Sequence, residues 1–301
     1  MTDTKLRFEP VTLESKELFD SYFQKERIFN SDFTFTNIFM WRKSYNIRYA
    51  VIDGMLCISS QHGGEPRAVN FPLGSGNIRT VIQKIIDDFE SCGETPLIRL
   101  YSEEARKLFE DSFPDGFVIT EDRNSFDYVY RTADLIELSG KKYHGKRNHV
   151  NRFKSEYNWE YRHMTPDFGS RCMDMFSKWY SDKRDSVPGV DEQLEAVSEL
   201  ISNWESLDIT GGCLTVDSEM VAFSFGEPLC RANSVAVIHL EHANTDFKGS
   251  YAAMNREFLK HEWSSFEFVN REEDMGLDGL RRAKMSYKPA YMTKKYTAKK
   301  L

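Results

Sequence analysis

The chain of 301 residues has only five cysteines, Cys57, Cys92, Cys172, Cys213 and Cys230, and no two of them stand as C-x-x-C. An odd count without that spacing excludes a disulfide framework and a zinc ribbon, and it fits a reducing cytosol. Long apolar runs are missing as well. Stretches such as Val235–Ile238 fall far short of the roughly 20 residues that cross a bilayer, so no integral membrane segment is expected. Met1-Thr2-Asp3-Thr4-Lys5 has no apolar h-region, so no secretory leader is expected and a cytoplasmic location is. There is no G-x-S-x-G elbow, no Walker loop and no His/Cys group at ligand spacing, hence no expected metal site. Core material is not scarce: 22 Phe, 14 Tyr and 5 Trp demand burial and exclude disorder for most of the chain.

Charge is scarce in one sign only locally. The net charge is −7, yet residues 141–154 and 281–301 contain Lys and Arg and no acid. Those fourteen cations stand against a body with 26 basic and 47 acidic residues. Such a distribution points to a confined anion site rather than to general nucleic-acid affinity.

Period and punctuation place the elements. Leu6–Glu9 alternates like a short strand, and Thr12 can cap a helix that buries Leu18, Phe19, Tyr22 and Phe23. Residues 47–60 form a hairpin about Asp53-Gly54. Asn77 caps the clearest amphipathic helix, in which Ile78, Val81, Ile82, Ile85, Ile86 and Phe89 make one stripe that Gly93 closes. Strands at 97–100, 117–120 and 126–130 follow, with a helix from Ser102 between the first two. The second half repeats the order: a strand at 159–164, helices carrying Phe176 and Leu194, a hairpin about Asp217-Ser218, a strand at 234–241, a helix from Ser250, a strand at 266–269 and a helix at 277–287. This predicts an α+β chain of two tandem GNAT (acyl-CoA N-acyltransferase-like) domains, 1–138 and 139–301, each a mixed twisted sheet flanked by helices. The active site is expected in the second.

Two motifs carry the chemistry. Residues 138–157 form a basic helix with Tyr143, Phe153 and Tyr157 interleaved, whose Lys142, Lys146, Arg147, Asn148 and Asn151 can hold phosphates by charge and by directed hydrogen bonds. Downstream, Asn270-Arg271-Glu272-Glu273-Asp274-Met275-Gly276-Leu277-Asp278-Gly279-Leu280 leads from a strand into a helix with Arg281, Lys284 and Lys288 on one face. Read without a function, both are solvated basic segments.

With His239-Leu240-Glu241-His242-Ala243 and Lys248-Gly249-Ser250-Tyr251 between them, these motifs resemble the C-terminal catalytic domain of the phosphatidylglycerol lysyltransferases, in its stand-alone soluble branch. The resemblance covers nearly the whole chain. It implies a tandem GNAT fold related to the Fem peptidyltransferases, and transfer of an aminoacyl group from aminoacyl-tRNA to a hydroxyl or amine acceptor. That acceptor would be a lipid headgroup, a peptide or a small molecule, and the resemblance does not extend to the membrane-embedded portion of the full synthases. An aminoacyl ester is already activated, so transfer needs positioning, a base for the acceptor and oxyanion stabilisation.

Glu241, at a strand end, is the preferred base, and His239, two residues earlier on the same face, the second choice. Asn270 and Asp274 follow the neighbouring strand, where parallel strands of a GNAT fold splay. There Asp274 can hold an α-ammonium. Lys146, Arg147, Arg281 and Lys284 are expected to rim the same cleft. The rival donor is acetyl-CoA or another acyl-CoA, whose pyrophosphate a GNAT enzyme binds at a helix N-terminus. Lys248 and Gly249 are what this chain offers there, a degenerate form of that loop, and Gly74-Ser75-Gly76 is a lone G-x-G. A non-catalytic binding module is the third reading.

Overall fold

In a computed structural model, which describes residues 5–25, 29–184, 189–230 and 234–301, the turn signals of the sequence become turns. Two compact units emerge, Met1–Phe126 with Thr293–Leu301 and Asp127–Met292.

The first unit opens with β1 (Glu9–Pro10), α1 (Lys16–Phe23) and α2 (Phe35–Trp41). A hairpin of β2 (Arg48–Ile52) and β3 (Met55–Ser60) turns on Asp53 (φ 49°) and Gly54 (φ 80°), the left-handed pair that matches strand twist. β4 (Ala68–Asn70) precedes α3 (Ile78–Ser91), whose N-cap Asn77 accepts the Thr80 amide at 3.0 Å. The α3 stripe is buried from Val81 to Phe89 against β5 (Leu97–Leu100) and its neighbours, with α4 (Glu103–Ser112) alongside. β6 (Phe117–Glu121) completes the run.

The second unit begins with β7 (Asp127–Arg131), α5 (Thr132–Glu137) and α6 (His144–Glu156). Then come β8 (Trp159–Met164), α7 (Gly169–Lys183), α8 (Val190–Ser202) and the hairpin β9 (Thr210–Val216) with β10 (Glu219–Cys230). β11 (Val235–Ala243), α9 (Ser250–Glu262), β12 (Phe268–Asn270), α10 (Asp278–Met285) and β13 (Tyr291–Thr293) follow. The last strand, β14 (Tyr296–Lys300), belongs to the first unit.

Both sheets are mixed. The first runs β1-β2-β3-β4-β5-β14-β6, with β4 and β5 parallel. The second runs β8-β9-β10-β11-β12-β7-β13, with β11 and β12 parallel. The division lies at Phe126/Asp127, ahead of the 138/139 boundary expected from the sequence, and the basic tail is not a tail. β7 leaves the first half to pair with β12, and β14 leaves the second to pair with β5 and β6. Tyr296 and Ala298 are the reason on β14, since their alternate side chains are buried in the first unit's core. Among the described residues no helix is long and apolar enough to cross a membrane.

One irregularity sets up the site. The β10/β11 register pairs Phe225 with Leu240 but Gly226 with Ile238, so His239 is an extra residue in β11. A Cβ on Gly226 would stand 2.5 Å from the Val237 carbonyl oxygen, so this approach requires glycine. The bulge resets alternation. Ile238 and Ala243 pack with α9, while His242 packs with Phe176 and Trp179 of α7.

Candidate active site

The β11/β12 ladder holds only at Val235–Val237 against Phe268–Asn270, while β11 runs on to Ala243, so the strands part beyond Val237. On the α9 side of this parting Glu241 Oε1 meets Arg271 Nη2 at 2.9 Å, and Glu241 Oε2 accepts from Asn255 Nδ2 of α9 at 3.3 Å. The Arg271 guanidinium lies 5.1 Å from the Tyr287 ring centre and 6.0 Å from that of Tyr130. Burial opposes its charge, but Glu241, Tyr130 and Tyr287 more than offset that, and Arg271 stays a cation. Its Nη1 is buried without a hydrogen-bond partner among the described residues. Burial also pushes the Tyr287 phenol up to about 12.

Lys146 enters this group from α6. Its Nζ sits 3.9 Å from the Tyr287 ring centre, a cation–π contact. Burial and then the neighbouring Arg271 bring its ammonium down to about 8, against the pull of Glu241.

His239 and Glu241 do not share a face, which corrects the period-two expectation; the bulge separates them. The His239 side chain is wholly enclosed, bonded at 2.8 Å to Glu227 through Nε2 and at 2.8 Å to Glu272 through Nδ1. Glu227 stands opposite Val237 and not on the α9 side. Burial disfavours the imidazolium, and the two carboxylates more than offset it, taking His239 up to about 9. A cation clamped in this way is a poor base. Asn270, opposite Val237, is fully buried and donates to Asp127 at 2.8 Å.

Asp274 does not line the same surface either. It is fully buried, accepts from the Tyr128 hydroxyl, and binds Arg281 through Nη2 (2.8 Å) and Nε (2.9 Å) and the Gly276 amide (2.9 Å). Burial raises its pKa, but these donors prevail and hold it well below the usual carboxylate range. Lys284 Nζ donates to the carbonyls of Arg271 (2.6 Å) and Glu273, and the Tyr130 hydroxyl donates to the Lys284 carbonyl at 2.8 Å. The Asn270–Lys284 motif is therefore a clasp that fixes the turn carrying Arg271.

The basic helix α6 divides in two. Its inward stripe holds Lys146, Arg147, Val150, Phe153 and Lys154. Arg147 donates to the carbonyls of Leu138 and Gly140 (2.6 Å), closing the end of α5 where Leu138 is left-handed at φ 51°. Lys154 pairs with buried Glu257 at 2.5 Å. Asn148, bonded to His144 at 3.1 Å, and Asn151 are exposed, and Lys142 pairs with Asp134 at 3.2 Å. So Arg147, Arg281 and Lys284 have partners within the fold and do not join Lys146 in a ring of open cations. Sequence reasoning passed over Arg271, Tyr287, Tyr130 and Asn255. The signal for Arg271 was its place two residues after core-facing Val269.

At the expected pyrophosphate loop, Gly249 (φ 91°) packs under α6. A Cβ there would lie 2.2 Å from the His149 carbonyl oxygen. The Lys248 amide donates to the Tyr157 hydroxyl at 3.1 Å, and Lys248 Nζ reaches the Thr245 carbonyl at 3.4 Å.

Known proteins share this architecture. A family model described as "Phosphatidylglycerol lysyltransferase, C-terminal" matches residues 24–299. A conserved protein of unknown function from Bacteroides thetaiotaomicron is 34% identical, with a TM-score of 0.91 over 98% of this chain and 100% of that one. L-PGS from Bacillus licheniformis is 17% identical, with a TM-score of 0.67 over 98% and 94%. Among curated proteins, the uncharacterized MYCGA3080 of Mycoplasmoides gallisepticum is 27% identical over 180 residues. That match takes in 58% of this chain and 56% of the relative, so the chain spans a little over half of that relative's length. As fold alone, the likeness extends to FemX (8% identical, TM-score 0.61, 98% of each chain) and to a tandem GNAT protein of the clavulanic acid pathway (7%, 0.52, 97% and 98%). The mixed sheets with their parallel pairs are thus tandem GNAT folds, and the chain belongs to the phosphatidylglycerol lysyltransferase C-terminal family.

Proposed function

We propose that the second unit transfers an aminoacyl group from aminoacyl-tRNA to a hydroxyl or amine acceptor in the cytoplasm. The observation that carries this reading is the group of Lys146, Arg271, Glu241 and Tyr287 on the α9 side of the parting between β11 and β12. A guanidinium fixed by Glu241 supplies a permanent positive charge that suits the oxyanion of a tetrahedral intermediate, and an amine with no carboxylate bonded to it among the described residues suits proton movement. The exposed side of α6, with His144, Asn148, Asn151 and Arg152, suits the acceptor end of a tRNA.

The packing at Gly249 argues against CoA as donor. A pyrophosphate needs open backbone N–H groups at a helix N-terminus, and here α6 covers the glycine while the Tyr157 hydroxyl takes the Lys248 amide. A pure binding module would have no need of a half-buried lysine that no carboxylate binds directly among the described residues.

The deciding experiment incubates the purified protein with bulk tRNA charged with radiolabelled amino acids and, separately, with phosphatidylglycerol vesicles, a peptide amine and glycerol as acceptors. Label should pass to one acceptor class. Tight CoA binding in a thermal-shift assay, with no consumption of aminoacyl-tRNA, would reverse the choice of donor.

A further inference from the structure

Of the three cations that α6 turns inward, Arg147 and Lys154 have fixed partners, and Lys146 has no hydrogen-bonded partner among the described residues. Among the described residues Lys146 Nζ makes no hydrogen bond and no ion pair; it rests on the face of Tyr287. The groups that face it are Glu241 from β11, Arg271 from the end of β12 and Tyr287 after α10, with Tyr130 of β7 behind Arg271. Both oxygens of Glu241 are engaged, one by Arg271 and one by Asn255. The carboxylate that the sequence favours as base is therefore bound up in holding Arg271, while the amine beside it is not.

Among the described residues this half-buried ammonium beside a guanidinium is in direct contact with an aromatic face, and the nearby Glu241 attracts it without a bond to it. Burial and Arg271 favour its neutral form near pH 8. A group poised near the working pH, in a site that already holds a permanent cation, has the property that proton transfer asks for.

We propose that Lys146 carries the proton of the transfer reaction, with Glu241 a positioning residue that fixes Arg271. The role rests on the aminoacyl-transfer reading above. The neutral amine takes the proton from the acceptor hydroxyl or amine as that oxygen or nitrogen forms its bond to the ester carbonyl carbon. The bond from that carbon to the terminal ribose oxygen then breaks, and the Lys146 ammonium returns the proton to that oxygen. No net proton is consumed, and no further reactant is required.

Two measurements test the role. The first follows competitive acetylation of Lys146 against pH, read by mass spectrometry. It needs no activity, and Lys146 should become reactive with a midpoint near 8, well below the surface lysines. The second is single-turnover transfer from charged bulk tRNA to phosphatidylglycerol vesicles or whichever probe accepts label. Lys146→Arg keeps the charge but cannot give up its proton, and it should slow transfer about 100-fold. Lys146→Ala should lose as much and regain rate on addition of propylamine, which a merely structural lysine would not permit. The melting temperature of both variants shows whether the fold is intact. Wild-type transfer with Lys146→Arg within threefold of it overturns the role alone, as does an acetylation midpoint above 10. A wild-type protein that consumes no aminoacyl-tRNA overturns the function and the role together.

Discussion

Glu241 and Arg271 form an ion pair at 2.9 Å in which both side chains are nearly nine-tenths buried. Such a pair is asymmetric in its consequences: keeping it stabilises little, and breaking it leaves a charge without water or a partner. Glu241→Ala should therefore destabilise the protein by about 3–5 kcal/mol, and Glu241→Gln by less, since an amide oxygen still accepts from Arg271. Urea denaturation of the three proteins checks the order. Removing Glu241 also removes the attraction that holds the Lys146 ammonium up, so in the Gln variant Lys146 should titrate below its midpoint near 8.

His239 gives stability a pH dependence of known sign. Its folded pKa of about 9 stands above the ordinary 6.5, so the folded state binds the proton more tightly. The contribution is full below about pH 6.5 and is lost as pH rises through 9. It amounts to about 3 kcal/mol for a fully buried group. Lys146 works the other way, because its folded pKa is lowered, and it adds stability above pH 8. The difference between wild type and His239→Gln cancels the lysine. Urea midpoints at pH 6.5 and 9.5 should show wild type losing its advantage over the variant across that interval.

The last strand is a second structural test. β14 lies between β5 and β6, so its removal opens the middle of the first sheet rather than trimming an edge. A chain ending at residue 292 should lose the cooperative melting of the first unit. Ala298→Asp, which places a charge at a wholly buried position, should do much the same. Calorimetry with two resolved transitions in wild type and one in the variants is the expected result.

What the sequence made legible follows from which forces are local. The α3 stripe, the Asn77 cap and the two hairpin turns at Asp53-Gly54 and Asp217-Ser218 depend on neighbours within a few residues, and all are present. The order of elements then led to two mixed sheets with a parallel pair in each. β14 escaped because a strand of Tyr, Thr, Ala and two Lys reads as a solvated tail until a distant sheet supplies its partners. His239 and Glu241 were assigned to one face because alternation is the default, and the bulge that breaks it depends on Gly226 in another strand. Asp274 was expected to face an α-ammonium, and Arg281 and Lys284 a phosphate, yet Asp274 binds Arg281 and Lys284 binds the carbonyls of Arg271 and Glu273, because charge alone does not reveal whether cations face a ligand or the protein's own acceptors.

The division of α6 changes which residues should govern RNA affinity. An acidic body repels polyanions, so binding depends on the few cations that face outward. Lys146 is turned in, and Arg147 closes α5. Lys141, Lys142 and Arg152 are exposed; Lys142 and Arg152 have partners, Asp134 and Glu156, only in surface pairs that salt and phosphate displace easily. With about five phosphates of a tRNA acceptor end in contact, at about −0.7 per phosphate, log K should fall against log salt with a slope of about −3.5. A fourfold rise in salt then weakens binding about a hundredfold. Replacing Lys141, Lys142 and Arg152 with Ala should lower the slope by about 2. Lys146→Met should leave the slope unchanged while transfer collapses, which separates holding the RNA from moving the proton. Filter binding of charged tRNA across salt measures both. A slope that falls with Lys146→Met and not with the triple variant would mean that the inward lysine is the phosphate contact and that the outer stripe of α6 is ordinary solvated surface.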